Sequence, residues 1–151
     1  MFLGKGKDYT QTLLECAKGT ELDVIASIPV DTLTLLSPHV RQIKHLEFLE
    51  IFWRDIIEFS GDNSEPLPLL STLKLTPAEP YGVVGTPPST PLFTNAINLE
   101  KFVFNSIMVR YLNYFVFPSL TTFELMSLSI IGFDIATLLD FLKASPMLRT
   151  V

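Results

Sequence analysis

The chain has 151 residues, of which 48% are hydrophobic and 18% charged, and its formal net charge is −5. This length predicts one ordinary domain, and the acidic balance argues against the basic surface that nucleic-acid binding usually requires. A single cysteine, Cys16, excludes an intramolecular disulfide and a cysteine-rich metal site, and we expect its thiol to be buried. The first residues do not resemble a signal peptide, and no apolar run is long enough to cross a bilayer. We therefore expect an intracellular protein, cytoplasmic or nuclear, with neither nucleic acid nor a membrane as a partner.

Hydrophobic spacing and the positions of proline and glycine predict alternating helices and strands. In chain order these are a helix at 8–18, a strand at 21–28, a short helix at 29–38, a strand at 43–49, a helical or irregular segment at 51–59, a strand at 70–75, a helical turn at 92–97, strands at 99–104 and 123–125, and a helix at 135–144. Pro38 is expected to end the second helix. The last helix has apolar side chains at i, i+3, i+4 and i+7 from Ile135, which predicts one buried face.

One apolar pattern recurs through these strands: an apolar residue, two variable ones, an apolar one, a variable one and a last apolar one. Complete copies occupy 43–48, 70–75, 99–104 and 120–125, with a degenerate copy at 22–24 and the beginning of another at 148–151. The fourth position falls at Leu22, Leu46, Leu73, Phe102, Phe123 and Val151, so successive copies lie 21 to 29 residues apart. This pattern and period are typical of leucine-rich repeats. The sequence therefore predicts an α/β fold, a short and irregular solenoid with a parallel sheet on its concave side and helices and loops on its convex side.

Two segments depart from the repeat. Residues 76–91 are rich in proline and glycine and predict a surface loop. Pro88 and Pro91 within it have the spacing of a proline-recognition ligand, which leaves that role as an alternative. Val151 occupies the apolar position of a further strand. Because an open solenoid end exposes core and strand edge, we expect residues 1–151 to form a single domain that is a fragment truncated at its carboxyl-terminal end.

The residues that could carry chemistry form no recognisable site. His39 and His45 lie six residues apart, whereas a metal-binding pair on one helix face has closer spacing, and no cysteine or carboxylate completes a ligand set. Asp134 and Asp140 are expected to be a helix cap and a surface charge rather than a catalytic pair. No serine lies in a hydrolase motif. We therefore expect the protein to be no enzyme and to hold no metal or other cofactor.

The outward-facing residues of the strands are the candidate binding surface. In each copy the apolar positions face the core, and the residue between the last two faces outward. Because neighbouring strands lie about 4.8 Å apart, these outward residues predict one row: Asp23, Glu47, Lys74, Val103 and Glu124. The adjacent outward positions predict a second row: Ile25, Leu49, Thr76, Asn105 and Met126. We expect Glu47 to pair with Lys74, and a protein or peptide to dock through the apolar members of the second row. A solvated scaffold face is the alternative.

Four blocks of the sequence resemble the irregular leucine-rich-repeat region of fungal F-box-like proteins, especially those of mushroom-forming fungi. They are LSPHVRQIKHLEF at 36–48, LPLLSTLKL at 67–75, FPSLTTFEL at 117–125 and LLDFLKASPMLRTV at 138–151. The resemblance runs across most of residues 8–151 and is carried by the order and spacing of these blocks together. The resemblance implies that the repeats present a substrate to a ubiquitin ligase, while an F-box in front of them docks on a Skp1-type adaptor. No F-box helix set precedes Asp8, so this adaptor is expected as a partner only if an F-box exists outside this chain.

Two interpretations of the function stay open. The chain is either a protein-interaction module, the substrate-recognition repeats of an F-box-type ubiquitin ligase receptor, or an incomplete or remnant repeat fragment with a structural role and no independent activity. An F-box upstream in the reading frame would favour the first interpretation.

Overall fold

A computed structural model describes residues 2–3, 7–27, 34–62, 66–77, 90–105, 109–126 and 135–151. In chain order its elements are β1 (Phe2–Leu3), α1 (Lys7–Cys16), β2 (Leu22–Ser27), a first 3₁₀ helix (Thr34–Gln42), β3 (Ile43–Ile51), α2 (Trp53–Asp62), β4 (Thr72–Pro77), β5 (Lys101–Asn105), a second 3₁₀ helix (Val109–Tyr114), β6 (Thr122–Met126) and α3 (Ile135–Lys143).

The six strands form one sheet in which every neighbouring pair is parallel and the order follows the chain from β1 to β6. The predicted fourth positions lie side by side: Leu46 is opposite Leu73, Leu73 is opposite Phe102, and Phe102 is opposite Phe123. Parallel pairing requires a crossover between strands, and the segments of 21 to 29 residues are long enough to supply it. The predicted α/β class with a parallel sheet is therefore confirmed.

Alternation along the strands gives the sheet one buried face and one open face. In β2, for example, Leu22, Val24 and Ala26 are buried, whereas Asp23, between Leu22 and Val24, is exposed. The described helices pack on the buried face. The Phe48 ring lies 5.4 Å from the ring of Phe59 in α2.

The centre of the core is aromatic. The ring centroid of Phe102 lies within 6.1 Å of five others, those of Phe104, Phe115, Phe117, Phe123 and Phe141. Phe141 belongs to α3, so this cluster joins the last helix to β5 and β6. Each buried aromatic side chain removes a large apolar area from water, and packed ring pairs contribute further stabilisation.

In the described part of the chain, a β-turn ends at the first apolar position of four copies of the repeat. In each turn the amide of the fourth residue donates to the carbonyl oxygen of the first, over 3.1 to 3.3 Å, and the pairs are Leu67 with Leu70, Ala96 with Leu99, Phe117 with Leu120, and Ser145 with Leu148. Proline holds the second position in three of these turns, as Pro68, Pro118 and Pro146, where its fixed φ suits the turn. At Leu70, Leu99 and Leu120 the first apolar position of the repeat therefore closes a turn and is buried before the strand begins. This is why the strands predicted at 70–75 and 99–104 begin two residues too early.

Backbone hydrogen bonds connect these turns across the sheet. The carbonyl oxygen of Ser71 accepts from the amides of Glu100 and Lys101, and that of Glu100 accepts from those of Thr121 and Thr122. The carbonyl oxygen of Thr121 in turn accepts from the amides at 149 and 150, and residue 150 forms a parallel bridge with Thr122. The segment at 148–151 thus continues the register of the repeat, as the sequence predicts.

Several predictions for the amino-terminal half are wrong. The sequence gives no signal for β1, which pairs with Ile25 and Ala26 of β2. The described part of the predicted 29–38 helix is instead the start of a 3₁₀ helix that continues through Pro38 to Gln42. Proline fits there because its φ of about −65° suits 3₁₀ geometry and it removes one N–H donor only. Cys16, expected to be buried, is exposed.

The helix at 135–144 exists as α3, and two of its four predicted apolar positions, Leu138 and Leu142, pack partly buried against the core, but the centre of its buried face differs from the prediction. Thr137 and Phe141 are buried, whereas Ile135 is 60% and Leu139 49% exposed. The Phe141 ring lies 4.8 Å from that of Phe123. Phe141 is the largest apolar side chain of the helix, and its burial sets the orientation of the helix. Thr137, four residues earlier on the same face, therefore also points inward, whereas Leu139 points outward.

The predicted loop at 76–91 falls mostly outside the described residues. Thr76 and Pro77 belong to β4, residues 78–89 lie outside the described part, and residues 90–91 are irregular. The predicted helical turn at 92–97 is a series of turns that follows an isolated parallel bridge between Leu92 and Phe115.

The predicted concave shape is not observed, because the sheet is not curled. A solenoid curves when its backing elements are wider than the strand spacing of about 4.8 Å. Among the described residues, three α-helices and two 3₁₀ helices back six strands. A 3₁₀ helix is more tightly wound than an α-helix and so adds less of this extra width.

Candidate binding face

The open face of the sheet is formed by the outward-pointing side chains of β2 to β6. It contains a depression of about 510 Å³ lined by charged, polar and apolar residues from all five strands. Seven of the nine predicted binding residues line it: Asp23, Ile25, Glu47, Lys74, Val103, Glu124 and Met126. Leu49 is on the same strand as Glu47 but is not among the lining residues, and the side chain of Asn105 lies outside the described part of the structure.

Strand pairing arranges the outward residues in rows across the sheet. The first row is Asp23, His45, Thr72, Lys101 and Thr122. The middle row is Ile25, Glu47, Lys74, Val103 and Glu124. The third contains Ser27, Leu49 and Thr76, and Asn105 is opposite Met126 at its far end.

The predicted positions of Asp23 and Ile25 in these rows are therefore wrong. Val24, not Leu22, lies opposite Leu46, so most of β2 is displaced by two residues from the predicted alignment. A separate one-residue irregularity lies between Leu22, opposite Ile43, and Asp23, opposite His45. Since side chains alternate with a period of two, both residues keep the predicted face and change only their row.

Two ion pairs cross the open face. Lys74 Nζ lies 2.5 Å from Glu47 Oε1, which confirms the predicted pair, and Lys101 Nζ lies 2.6 Å from Glu124 Oε1. The four side chains are between 25% and 43% exposed, so water still reaches each of them. At the β2 side of the face, His45 Nε2 is 3.7 Å from Asp23 Oδ1.

The apolar part of the face differs in detail from the predicted row. Val103 is only 4% exposed although it points to the open side, because the longer side chains of its row neighbours Lys74 and Glu124 flank it. Met126 is 47% exposed, whereas Ile25 and Leu49 are half-buried. The face thus has an apolar floor at Val103 and one projecting apolar side chain at Met126.

Sequence reasoning missed three outward-facing lining residues, His45, Thr72 and Lys101; the other two unpredicted lining residues, Val24 and Leu46, belong to the buried side. The three outward-facing residues occupy the third position of the repeat, two residues before the outward position that the prediction used. In a strand, residues i and i+2 share a face, so counting back by two would have identified the row.

Elsewhere the chemistry-bearing residues lie apart. Among the described residues, no group of three His, Cys, Asp or Glu side chains could hold a metal ion. His39 lies in the first 3₁₀ helix and His45 on the open face. Asp140 pairs with Lys143 on the surface of α3, and Asp134 lies outside the described residues. No helix in the described part of the chain is both long and apolar enough to cross a bilayer.

Comparisons of the chain with protein-family models, with curated proteins and with solved structures found no match. The resemblance to fungal F-box-like repeats is therefore carried by the four sequence blocks and stays a prediction.

Proposed function

We propose that this chain is a short, irregular leucine-rich-repeat solenoid that binds a protein or peptide on the open face of its sheet. The repeated turns and in-register parallel strands support the repeat interpretation, because the units of β4, β5 and β6 each contribute one turn and one strand in the same order. The observation that carries the binding proposal is the depression of about 510 Å³, which collects seven of the nine predicted residues. Partner sites typically combine a concave surface, an apolar centre and a few oriented polar groups.

The more specific proposal is that these are the substrate-recognition repeats of an F-box-type ubiquitin ligase receptor. Its support is the resemblance of the blocks at 36–48, 67–75, 117–125 and 138–151. In this role a Skp1-type adaptor binds an F-box outside this chain, and the open face binds the substrate. The test is to extend the reading frame upstream and, if it encodes an F-box, to assay co-purification of the longer protein with the adaptor.

One observation favours a second function, that of a scaffold with a solvated face. The four central charges already neutralise one another, as Glu47 with Lys74 and Lys101 with Glu124. A face that meets only water needs no further partner for these groups. The binding experiment below separates the two functions.

The binding proposal predicts that charges placed on the third row abolish capture without affecting the fold. We expect peptides selected from a random display library on the purified chain to bind the Leu49→Glu/Met126→Glu variant at least about tenfold more weakly, since each substitution buries a carboxylate at an apolar contact. Fluorescence anisotropy gives the affinities, and circular dichroism should be unchanged. Leu139→Glu is the matched control, because Leu139 is 49% exposed, close to Met126 at 47%, and lies on α3. If the selected peptides bind all three proteins equally, the open face is the wrong surface.

A further inference from the structure

The charges across the middle of the open face follow an ordered sequence. From β3 to β6 the strands present Glu47, Lys74, Lys101 and Glu124 in that order. Lys101 belongs to the first row, two residues before Val103, and its side chain reaches Glu124 in the middle row. Two cations therefore stand on the two central strands, and one carboxylate stands on each side of them. All four line the same depression.

The spacing of the strands beneath these charges is close to the side-chain spacing of an extended peptide. Neighbouring strands lie about 4.8 Å apart, so the backbone of each glutamate is about 7 Å from the midpoint between the backbones of the two lysines, measured across the strands. An extended chain rises about 3.3 Å per residue and repeats its side-chain direction every second residue. Alternate side chains of a peptide that crosses the strands therefore lie about 7 Å apart on one side, and the flexible charged side chains beneath, now drawn together in their two ion pairs, can turn toward them.

The existing ion pairs leave room for such a ligand. Each pair uses one carboxylate oxygen and one of the three ammonium donors, and each of the four side chains is at least one-quarter exposed. Pairs this exposed contribute little to stability, so rearranging them costs little. Val103, at the bottom of the depression between Lys74 and Glu124, supplies an apolar floor for the stems of the ligand's side chains.

We propose that the occupant of the open face is an extended peptide segment with a basic, an acidic and a basic residue at alternate positions, Lys/Arg-x-Asp/Glu-x-Lys/Arg, lying across β3 to β6. The acidic residue meets Lys74 and Lys101, and the basic residues meet Glu47 and Glu124. The inference rests on the proposed binding function and specifies its ligand. Charge order of this kind determines specificity and orientation more than overall affinity.

The test is a peptide array with every combination of Lys, Glu and Thr at three alternate positions and Thr between them. We expect Lys-Thr-Glu-Thr-Lys to bind the wild-type chain about tenfold better than Glu-Thr-Lys-Thr-Glu, since several exposed ion pairs of a few-fold each change sign together. The matched variant carries Glu47→Lys, Lys74→Glu, Lys101→Glu and Glu124→Lys. It keeps both ion pairs but inverts the charge order, so the preference should reverse. Circular dichroism checks the fold of this fourfold variant. If it is unfolded, the variant Lys101→Glu/Glu124→Lys replaces it, and its preference for Lys-Thr-Glu-Thr-Lys should be weaker than that of the wild-type chain.

The outcomes distinguish this inference from the function on which it rests. If selected peptides lose binding in Leu49→Glu/Met126→Glu but the array shows no dependence on charge order, the ligand assignment is wrong and the binding face stands. If neither set of substitutions changes the affinity for any peptide, both proposals are overturned. A preference that the charge-inverted chain leaves unchanged also overturns the ligand assignment, because another surface must then read the charges.

Discussion

The two faces of the sheet are built by alternate residues of the same strands, yet they differ in what they contribute. Phe102 and Val103 are neighbours in β5, and both are nearly inaccessible to solvent. Phe102 packs among five other rings on the helix side. Val103 lies between the charged side chains of Lys74 and Glu124 on the open side.

This difference teaches that burial alone does not locate the core. Phe102 is buried by elements that fold onto it, so its removal leaves a cavity surrounded by fixed structure. Val103 is covered by flexible charged side chains, which can close over a smaller residue. We infer that the free energy of unfolding depends mainly on the helix side of the sheet. The residues of the open face are then little constrained by stability and can suit a partner.

Truncating the centre of the aromatic cluster has the largest expected effect. Phe102→Ala should lower the free energy of unfolding by about 3–5 kcal/mol, from lost apolar burial and the cavity it leaves. Urea titration followed by the fluorescence of Trp53 measures this. Val103→Ala is the control on the same strand, with an expected loss of about 1–2 kcal/mol. Equal losses for the two variants would mean that the faces contribute alike, contrary to the comparison.

An intermediate test concerns the charges of the open face. A double-mutant cycle with Glu47→Gln and Lys74→Met should give a coupling energy of about 0.2–1 kcal/mol, because both side chains remain partly exposed. The coupling should shrink in about 1 M salt, where the Debye length falls to about 3 Å. A coupling well above 2 kcal/mol that salt leaves unchanged would show that the pair is structural, and the open face would then resemble the packed one.

The sequence predicts the packed face better than the edges of the repeat. The inward residues Leu46, Leu73, Phe102 and Phe123 could be aligned because the apolar pattern and the strand period agree there. The degenerate copy at 22–24 offers two alignments, with Leu22 or Val24 at the fourth position. The pairing of β2 with β3 places Val24 opposite Leu46 and so selects the second alignment, and the local sequence carries no signal for this choice.

The remaining errors have tertiary causes. Strand β1 consists of two residues, too few for a periodic pattern, so its pairing with β2 depends on the sheet already being present. The rotation of α3 depends on where the ring of Phe141 meets that of Phe123, which no property of the helix alone specifies. The sequence predicts the outward rows as one face, but the burial of Val103 depends on the side-chain conformations of its charged neighbours Lys74 and Glu124.

The smallest expected effect lies at the beginning of β3, where Lys44 Nζ donates a hydrogen bond to Glu21 Oε2 over 2.8 Å. This hydrogen bond and the charge of Lys44 lower the pKa of the Glu21 carboxyl below its ordinary value of 4.5, and the same pair raises the pKa of Lys44 above 10.5. Because the folded-state pKa of Glu21 is depressed, its contribution to stability is complete above the unfolded value and is lost as pH falls through the folded value. The contribution of Lys44 to stability has the opposite pH dependence: it is complete below 10.5 and is lost as pH rises through the raised pKa of Lys44.

We therefore expect the Glu21 carboxyl signal in an NMR titration to have its midpoint below 4.5, and Lys44→Met to raise that midpoint toward its ordinary value. Glu21→Gln should remove the part of the stability that is lost as pH falls through the pKa of Glu21. At neutral pH it should change the free energy of unfolding by no more than an exposed ion pair contributes. Lys143→Met, which breaks the exposed pair with Asp140 on α3, is the matched control and should leave the Glu21 midpoint unchanged. An unchanged midpoint in Lys44→Met would show that the pair does not persist in solution. In that case the hydrogen bond would not contribute to holding β2 against β3 at the end of the sheet where the register shifts.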